Sequence, residues 1–495
     1  MRTFSINTLG CKVNQYEGQQ IRELLERRGL RQAEWPQEPD LVVVHTCCVT
    51  RTASAKSRQC IRKVLKQSPQ SLVLVSGCLP AAQTGELSRL PESIHLVANR
   101  NDLAATLTLW AEDTAIKAKN EWEIKRKNEA DSQPARPPAH GSELPLLTSF
   151  KQQTRAFLKI QDGCDGYCSY CIVPKTRPVV RSKSVETTLV EAQALVDAGH
   201  KEIVVSGVFL GAYGCDSVRR KNWPGQRNGN LADLLDRMAQ IPGLARIRLS
   251  SLEPADVTER LLDVFCTHHN IMPHLHLALQ SGSDAVLKGM CRQYRVDEFK
   301  RTVDSIQARL DRPAITTDII IGFPGETDAD FEQTFELARH VGFAKMHVFP
   351  FSARRGTAAA NMQDRVETQV CQRRSQILRE LDAELGSRYR RQFIGETADI
   401  LIESFGAAQG ESSLSGRSER YFRVYVDCPS ESRISRAAGK IKDLAPGTPH
   451  GGSSKIESNM IVRVTLAKEY RDGLLGIPGR GPHGYTTGGL PASAE

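Results

Sequence analysis

No run of 18 apolar residues occurs in the 495-residue sequence, and its opening, Met1-Arg2-Thr3-Phe4-Ser5-Ile6-Asn7, contains no long apolar segment. The first lack excludes a membrane-spanning helix and the second a secretory signal, so a cytoplasmic location with no membrane partner is expected. An even set of cysteines is also missing. The count is 13, which in a large chain without a signal favours reduced thiols and metal ligation over a disulfide framework. Excess charge is absent from the end: acidic and basic residues balance from 393 onward, so the net +9 belongs to the residues before it. A polyanionic partner is permitted, but the C-terminal part cannot hold one by bulk charge alone. Hydrophobic residues at 40% and charged residues at 25% are those of an ordinary globular protein, and the length suits about three domains.

What is present is an α/β pattern. In residues 1–110, strands are expected at 3–8, 41–45 and 72–76 and helices at 17–28 and 53–66, which makes a parallel-sheet domain. Ile21, Leu24 and Leu25 form the buried stripe of the first helix, and Gly29 stops it. Cys11, Cys47 and Cys78 each follow one of these strands almost at once. Carboxyl ends of parallel strands share one edge of a sheet, so the three thiols should meet there, although a lone cysteine is more commonly a small buried hydrophobe. Residues 111–148 lose periodicity and, with Pro134, Pro137 and Pro138, read as a linker.

From 149 to 392 strand and helix patterns alternate. Strands at 156–160, 202–205, 246–250, 274–279, 314–321 and 346–351 suit a partial (β/α)6 barrel, whose chemistry sits at the carboxyl ends of the strands. Directly after the first of them comes Cys164-Asp165-Gly166-Tyr167-Cys168-Ser169-Tyr170-Cys171, a C-x3-C-x2-C run. Three thiolates so close can hold a cubane iron-sulfur cluster with one iron left open, and the spacing alone suits a zinc knuckle equally. After a helix at 365–391, short strands at 397–403, 421–426 and 460–466 read as a small β-barrel spanning 393–468. The segment 428–454 is long for a loop, and a Gly/Pro-rich tail, 469–495, is expected to be disordered.

The cysteine run, with Tyr170 before its third cysteine, resembles the radical S-adenosylmethionine signature. Three further stretches resemble the N-terminal domain of methylthiotransferases: Thr8-Leu9-Gly10-Cys11-Lys12-Val13-Asn14-Gln15, His45-Thr46-Cys47-Cys48-Val49-Thr50 and Ser76-Gly77-Cys78. Leu9–Glu17, Gly207–Gly214 and Arg246–Pro254 are similar to the branch of that family acting on N6-threonylcarbamoyladenosine in tRNA. The chain departs from the family at His45, where asparagine is usual, at Pro178, where glycine is, and at Phe209, where histidine is. Cys48 is an additional thiol beside the expected ligand.

The resemblance implies two [4Fe-4S] clusters, one on Cys164, Cys168 and Cys171, the other on Cys11, Cys47 and Cys78, with Cys48 the alternative to Cys47. It also implies S-adenosylmethionine held near Gly207, Glu253, Ser281, Gly282 and Asp318, although each of these strand-end turns could as well be a helix cap. The implied reaction is 2-methylthiolation of the modified adenosine beside the anticodon, with an electron donor and a sulfur source as further partners. A tRNA anticodon stem-loop would be bound by Lys175, Arg177 and Arg181 beside the cluster run, the alternative for this basic stretch being a solvated loop. Arg417, Arg420, Tyr421 and Arg423 of a TRAM-like β-barrel would assist, the alternative for this neutral segment being a structural cap. The rival expectations are another methylthiolation target, either isopentenyladenosine in tRNA or a ribosomal protein side chain, or a catalytically silent tRNA-binding protein.

Overall fold

A computed structural model describes residues 1–34, 37–88, 90–91, 93–112, 143–222, 229–408, 411–426, 458–481 and 484–485. The N-terminal sheet is parallel throughout. Its strands are β1 (Thr3–Thr8), β2 (Arg31–Gln32), β3 (Leu41–Thr46), β4 (Leu72–Gly77) and β5 (Ile94–Leu96), in the order β2-β1-β3-β4-β5. All of Leu41–Thr46 is buried, as suits a central strand covered on both faces. The first helix is Lys12–Arg27, beginning well before the expected 17, with Cys11 as its N-cap and Gly29 beyond its end at φ 82°. Ile21, Leu24 and Leu25 enter the core, each contributing about 1.5–3 kcal/mol of burial. The second helix, Arg51–Gln67, is capped by Thr50, whose hydroxyl accepts the Ala53 N–H at 3.1 Å.

The central unit is an open barrel made of two sheets. In one, β6 (Ala156–Asp162), β8 (Glu202–Gly207) and β9 (Arg246–Leu249) are parallel, and the short β7 (Arg181–Ser182) lies antiparallel beside β6. In the other, β10 (Ser251–Leu252), β11 (His274–Leu277), β12 (Ala314–Ile321) and β13 (Lys345–Pro350) are parallel. Only Ser250 separates β9 from β10, so six parallel strands follow one another around the wall, and among the described residues no pairing joins β13 to β6. Alternation sorts the faces. Ile315, Ile319 and Ile321 join the main apolar core under the helices, which leaves Thr316 and Asp318 on the lumen side of β12.

The C-terminal unit closes a five-stranded barrel from β14 (Thr397–Ala408), β15 (Glu411–Arg417), β16 (Arg423–Val426), β17 (Ile461–Tyr470) and β18 (Gly473–Pro478). This corrects the expectation of a disordered tail from 469. β17 runs to Tyr470, and Gly473–Pro478 pairs with both β16 and β17, placing Leu474 fully inside the barrel core. Gly473 is needed there because a Cβ would lie 2.2 Å from the Arg423 carbonyl oxygen. Most of the expected linker, the loop at 428–454 and the final residues from 486 lie outside the described residues.

Candidate metal and cofactor site

Two trios of thiols come together where the N-terminal sheet meets the carboxyl edge of the central barrel. Cys164 follows β6 through Gly163, at φ 81°, where a Cβ would lie 1.8 Å from the Val179 carbonyl oxygen. Each sulfur of this run accepts one N–H. Gly166 N donates to Cys164 Sγ at 3.3 Å, Val173 N to Cys171 Sγ at 3.4 Å and Arg292 Nη1 to Cys168 Sγ at 3.1 Å. Burial nevertheless pushes Cys164 up to about 11 and Cys171 up to about 12, with Cys168 adding to both. Thiols held this way stay protonated until a metal takes the proton's place, and the N–H donors are then ready for the negative sulfur.

The other trio stands on three adjacent strands, β1, β3 and β4. Cys11 caps the first helix, and Cys78 opens the short turn Cys78–Ala81. Asn14 Oδ1 lies 4.0 Å from both Cys11 Sγ and Cys78 Sγ. Gly10, at φ 105°, brings the chain against Cys47; a Cβ on it would lie 2.9 Å from Cys47 Sγ. Burial pushes Cys47 and Cys78 each to about 11, and Cys47 also feels the charges of Cys78 and Cys11. Cys48 turns away: its Sγ donates to the Cys78 carbonyl at 3.2 Å, and it packs fully buried with Leu79 and Ile172.

Among the described residues, His276, Asp318 and His347 are the one group whose ligand atoms all lie within 4.8 Å of one another. Neither thiol trio is that tight. A single tetrahedral zinc, with Zn–S near 2.3 Å, would draw its sulfurs to about 3.8 Å apart. Three soft donors in each trio suit a multi-iron cluster.

Between the trios lies a buried ionic network that short-range sequence patterns could not reveal. Arg177 is 5% exposed and spans both units. Its Nη1 donates to Glu17 Oε1 at 2.8 Å and Asp162 Oδ1 at 2.6 Å, and its Nη2 to Glu17 Oε2 at 2.8 Å and Asn14 Oδ1 at 3.1 Å. Lys159 Nζ, 2.8 Å from Glu17 Oε1, and Arg100 Nη1, 3.1 Å from it, complete the cluster. Burial alone would raise the Glu17 carboxyl, but Arg100, Lys159 and His45 hold it well below the usual carboxylate range. Arg177 is therefore not a surface cation for phosphates, and that expectation is corrected: its charge is already spent on Glu17 across the interface and on Asp162 of its own unit.

The expected cofactor contacts divide. Glu253 accepts from Arg220 Nη2 at 2.7 Å and also from Arg292, the residue that reaches Cys168 Sγ, so it belongs to the cluster surroundings. Gly207 pairs with Gln161 at the end of β8, beside the run. Asp318 lies within β12, short of its carboxyl end, 3.4 Å from His276 Nε2 and in register with His347. Ser281 and Gly282 are corrected, because they serve strand-to-helix packing. Gly282 N donates to Thr334 Oγ1 at 2.9 Å, a Cβ there would lie 2.5 Å from Thr334 Cα, and Ser281 is 1% exposed.

The expected nucleic-acid residues divide too. Lys175 and Arg181 are exposed near the cluster run, and Arg423 is partly exposed, 3.7 Å from Asp472. Arg417, Arg420 and Tyr421 are corrected, because the turn that carries them plugs the amino-terminal end of the central barrel. Arg248, 1% exposed, donates to the carbonyls of Ser418 and Glu419 at 2.6 and 2.8 Å. Tyr421 stacks on His274 with ring centroids 4.6 Å apart and accepts from Arg155 Nη1 at 2.9 Å. Arg420 Nη2 donates to Asp311 Oδ2 at 2.9 Å, and Arg417 Nη1 to the Tyr421 carbonyl at 3.1 Å. Tyr421→Ala should lower stability by about 3 kcal/mol, read from its urea midpoint, since it empties this plug.

The model for Uncharacterized protein family UPF0004 matches residues 3–99, and that for the Radical SAM superfamily matches residues 158–338. "Threonylcarbamoyladenosine tRNA methylthiotransferase MtaB" of Bacillus subtilis (strain 168) is 34% identical over 91% of this chain and 95% of its own length. The protein of the same name from Chlamydia pneumoniae is 36% identical over 81% of this chain and 87% of its own. "tRNA-2-methylthio-N(6)-dimethylallyladenosine synthase" of Bartonella henselae is 33% identical over 85% and 90%. Among the described residues no helix is long and apolar enough to cross a membrane. With a radical SAM barrel carrying its cysteine run and relatives that match nearly end to end, the chain belongs to the radical S-adenosylmethionine methylthiotransferases and is an enzyme of that family.

Proposed function

We propose that this enzyme converts N6-threonylcarbamoyladenosine next to the anticodon of tRNA to its 2-methylthio derivative, in the cytoplasm. The observation that carries the reading is the meeting of two thiol trios at one interface, on a chain similar to the Bacillus subtilis threonylcarbamoyladenosine enzyme over 95% of that enzyme's length. Cys164, Cys168 and Cys171 would hold one [4Fe-4S] cluster and Cys11, Cys47 and Cys78 the other; Cys48, committed to the Cys78 carbonyl, would hold neither. When bound, the clusters and S-adenosylmethionine supply radical C–H activation and sulfur and methyl donation, the chemistry no side chain can perform.

The chain's own residues supply placement. Arg292 orients Cys168 and Glu253 together, and Glu253 is pinned by Arg220 from its other side. Ile172, next to Cys171, packs on Leu79, next to Cys78, so part of the ground between the trios is apolar and closed to water. Lys175 and Arg181 would meet the tRNA backbone beside the site, and the C-terminal barrel, in the role of a TRAM domain, would add Arg423. A single-stranded anticodon base can be splayed out to reach such a recess. The units would be 1–110, 149–392 and 393–468, with a separate protein as electron donor and a separate sulfur source.

The test is reconstituted enzyme with S-adenosylmethionine, reductant and tRNA bearing either modified adenosine, followed by mass spectrometry of the nucleosides. A methylthio gain on threonylcarbamoyladenosine is expected. Gain on dimethylallyladenosine alone would reject the substrate. For binding, Lys175→Ala and Arg181→Ala should each weaken tRNA affinity and lower the slope of log K against log salt by about 1, measured by filter binding.

A further inference from the structure

We propose that Arg177 is a positioning residue that ties the two thiol sites to one another and sets the distance between them; this rests on the two-cluster reading above. Its backbone and its side chain face different sites. The Arg177 carbonyl accepts the N–H of Cys164 at 2.8 Å, so its main chain belongs to the barrel trio. Its guanidinium crosses the interface to Asn14, one turn from Cys11, and to Glu17, one turn further along the first helix.

Asn14 relays the connection and cannot turn over. Its Nδ2 donates to the carbonyls of Leu9 at 2.9 Å and Thr46 at 2.8 Å, which leaves Oδ1 for Arg177 Nη2 and for the edge of the other trio, 4.0 Å from Cys11 Sγ and Cys78 Sγ. The path from Cys164 to Cys11 and Cys78 thus runs through one arginine and one asparagine, both with fixed orientation. A planar guanidinium that bonds through two nitrogens to three residues fixes angles as well as charge, which an ammonium does not. Glu17 and Asp162, the two carboxylates Arg177 joins, are themselves held by Lys159 and Arg100, so the strut is braced from the sides.

The reaction asks the group that activates a C–H bond and the group that delivers sulfur to reach the same carbon. Misplacement by about 1 Å of one relative to the other is enough to cost on the order of 10²-fold in the step that needs both. Cleavage of S-adenosylmethionine needs only the barrel site. Loss of the strut should therefore uncouple the two outputs rather than stop both.

The experiment uses full-length Arg177→Met and Arg177→Lys, reconstituted anaerobically, with four readouts: iron content, 5′-deoxyadenosine formed, methylthio product formed, and the magnetic interaction between the two reduced clusters by EPR. The expected result for both variants is wild-type iron, 5′-deoxyadenosine near the wild-type rate, product per 5′-deoxyadenosine down about 10²-fold, and an altered magnetic interaction. Should Arg177→Met fail to fold, Arg177→Lys carries the test, because it keeps the charge and loses only the fork. Wild-type coupling and EPR in the lysine variant would overturn the proposal, as would an equal fall in both products or loss of iron. Wild-type enzyme that takes up only about four irons would instead sink the two-cluster reading itself.

Discussion

Cys11→Ser should lose methylthiolation to background while still cleaving S-adenosylmethionine, and Cys164→Ser should lose both. The division follows from the roles proposed for the two trios, which the geometry keeps separate. The Cys164 trio lies on the barrel after β6, with Arg292 and Glu253 around it, whereas the Cys11 trio lies on a separate sheet and shares no ligand with it. Each variant should retain about four of about eight irons, because one cluster site survives intact. Iron assay and the two product yields check this together. A Cys11→Ser enzyme that folds and holds one cluster but makes no 5′-deoxyadenosine would refute the separation of roles. Cys48→Ser belongs beside them: bonded to the Cys78 carbonyl and turned into the apolar cluster with Leu79 and Ile172, it should keep all its iron.

Glu17→Ala should destabilise the enzyme by about 3–5 kcal/mol, among the largest effects expected from a single residue outside the thiols. The carboxylate is 4% exposed and meets Arg177, Lys159, Arg100 and His45, so removing it leaves cations buried without their shared partner. Acid should imitate the mutation. The folded carboxyl is held below its unfolded value by Arg100, Lys159 and His45 against the opposing effect of burial. Its contribution is therefore fully present above about pH 5 and drains as pH falls from there toward the folded value. Urea unfolding at a series of pH values should show wild-type stability falling through that acid window, and Glu17→Gln should lack this part of the slope. A parallel slope in the variant would mean that Glu17 is not the group that titrates.

Much of the fold was legible because period and burial agree along the chain. The run 314–321 is Ala314–Ile321 in the structure, and 3–8 is Thr3–Thr8. The misses have physical causes. The first helix starts at Lys12 because Gly10 turns the chain against Cys47 and Cys11 caps it, whereas the apolar stripe that betrays a helix, Ile21, Leu24 and Leu25, lies further along and follows mostly polar positions. The strand Gly473–Pro478 has the glycines and proline of loop composition; only closure against β16 and β17 makes them strand residues.

Cations were misread for a related reason. Arg177, Arg417 and Arg420 look like a nucleic-acid footprint in one dimension, since a sequence states a charge but not its partner. Folding of its own unit supplies Asp162 to Arg177, docking of one unit on another supplies Glu17 to Arg177 and Asp311 to Arg420, and these partners turn free charges into cement. Tyr421, an aromatic between arginines, resembles a base-stacking platform in one dimension for the same reason, and stacks instead on His274 at the amino-terminal end of the barrel.

The sequence by itself determined the thiols, their spacing and the strand ends that carry them, because strand alternation and a C-x3-C-x2-C run are local properties. Tertiary structure alone decided which cations are paired within the chain, that Cys48 Sγ is bonded to the Cys78 carbonyl, and that Asn14, Glu17 and Arg177 join the two thiol trios. The contacts of Arg177 with Asn14 and Glu17 pair residues more than a hundred positions apart, and their energies come from burial and charge pairing that exist only after the units have packed.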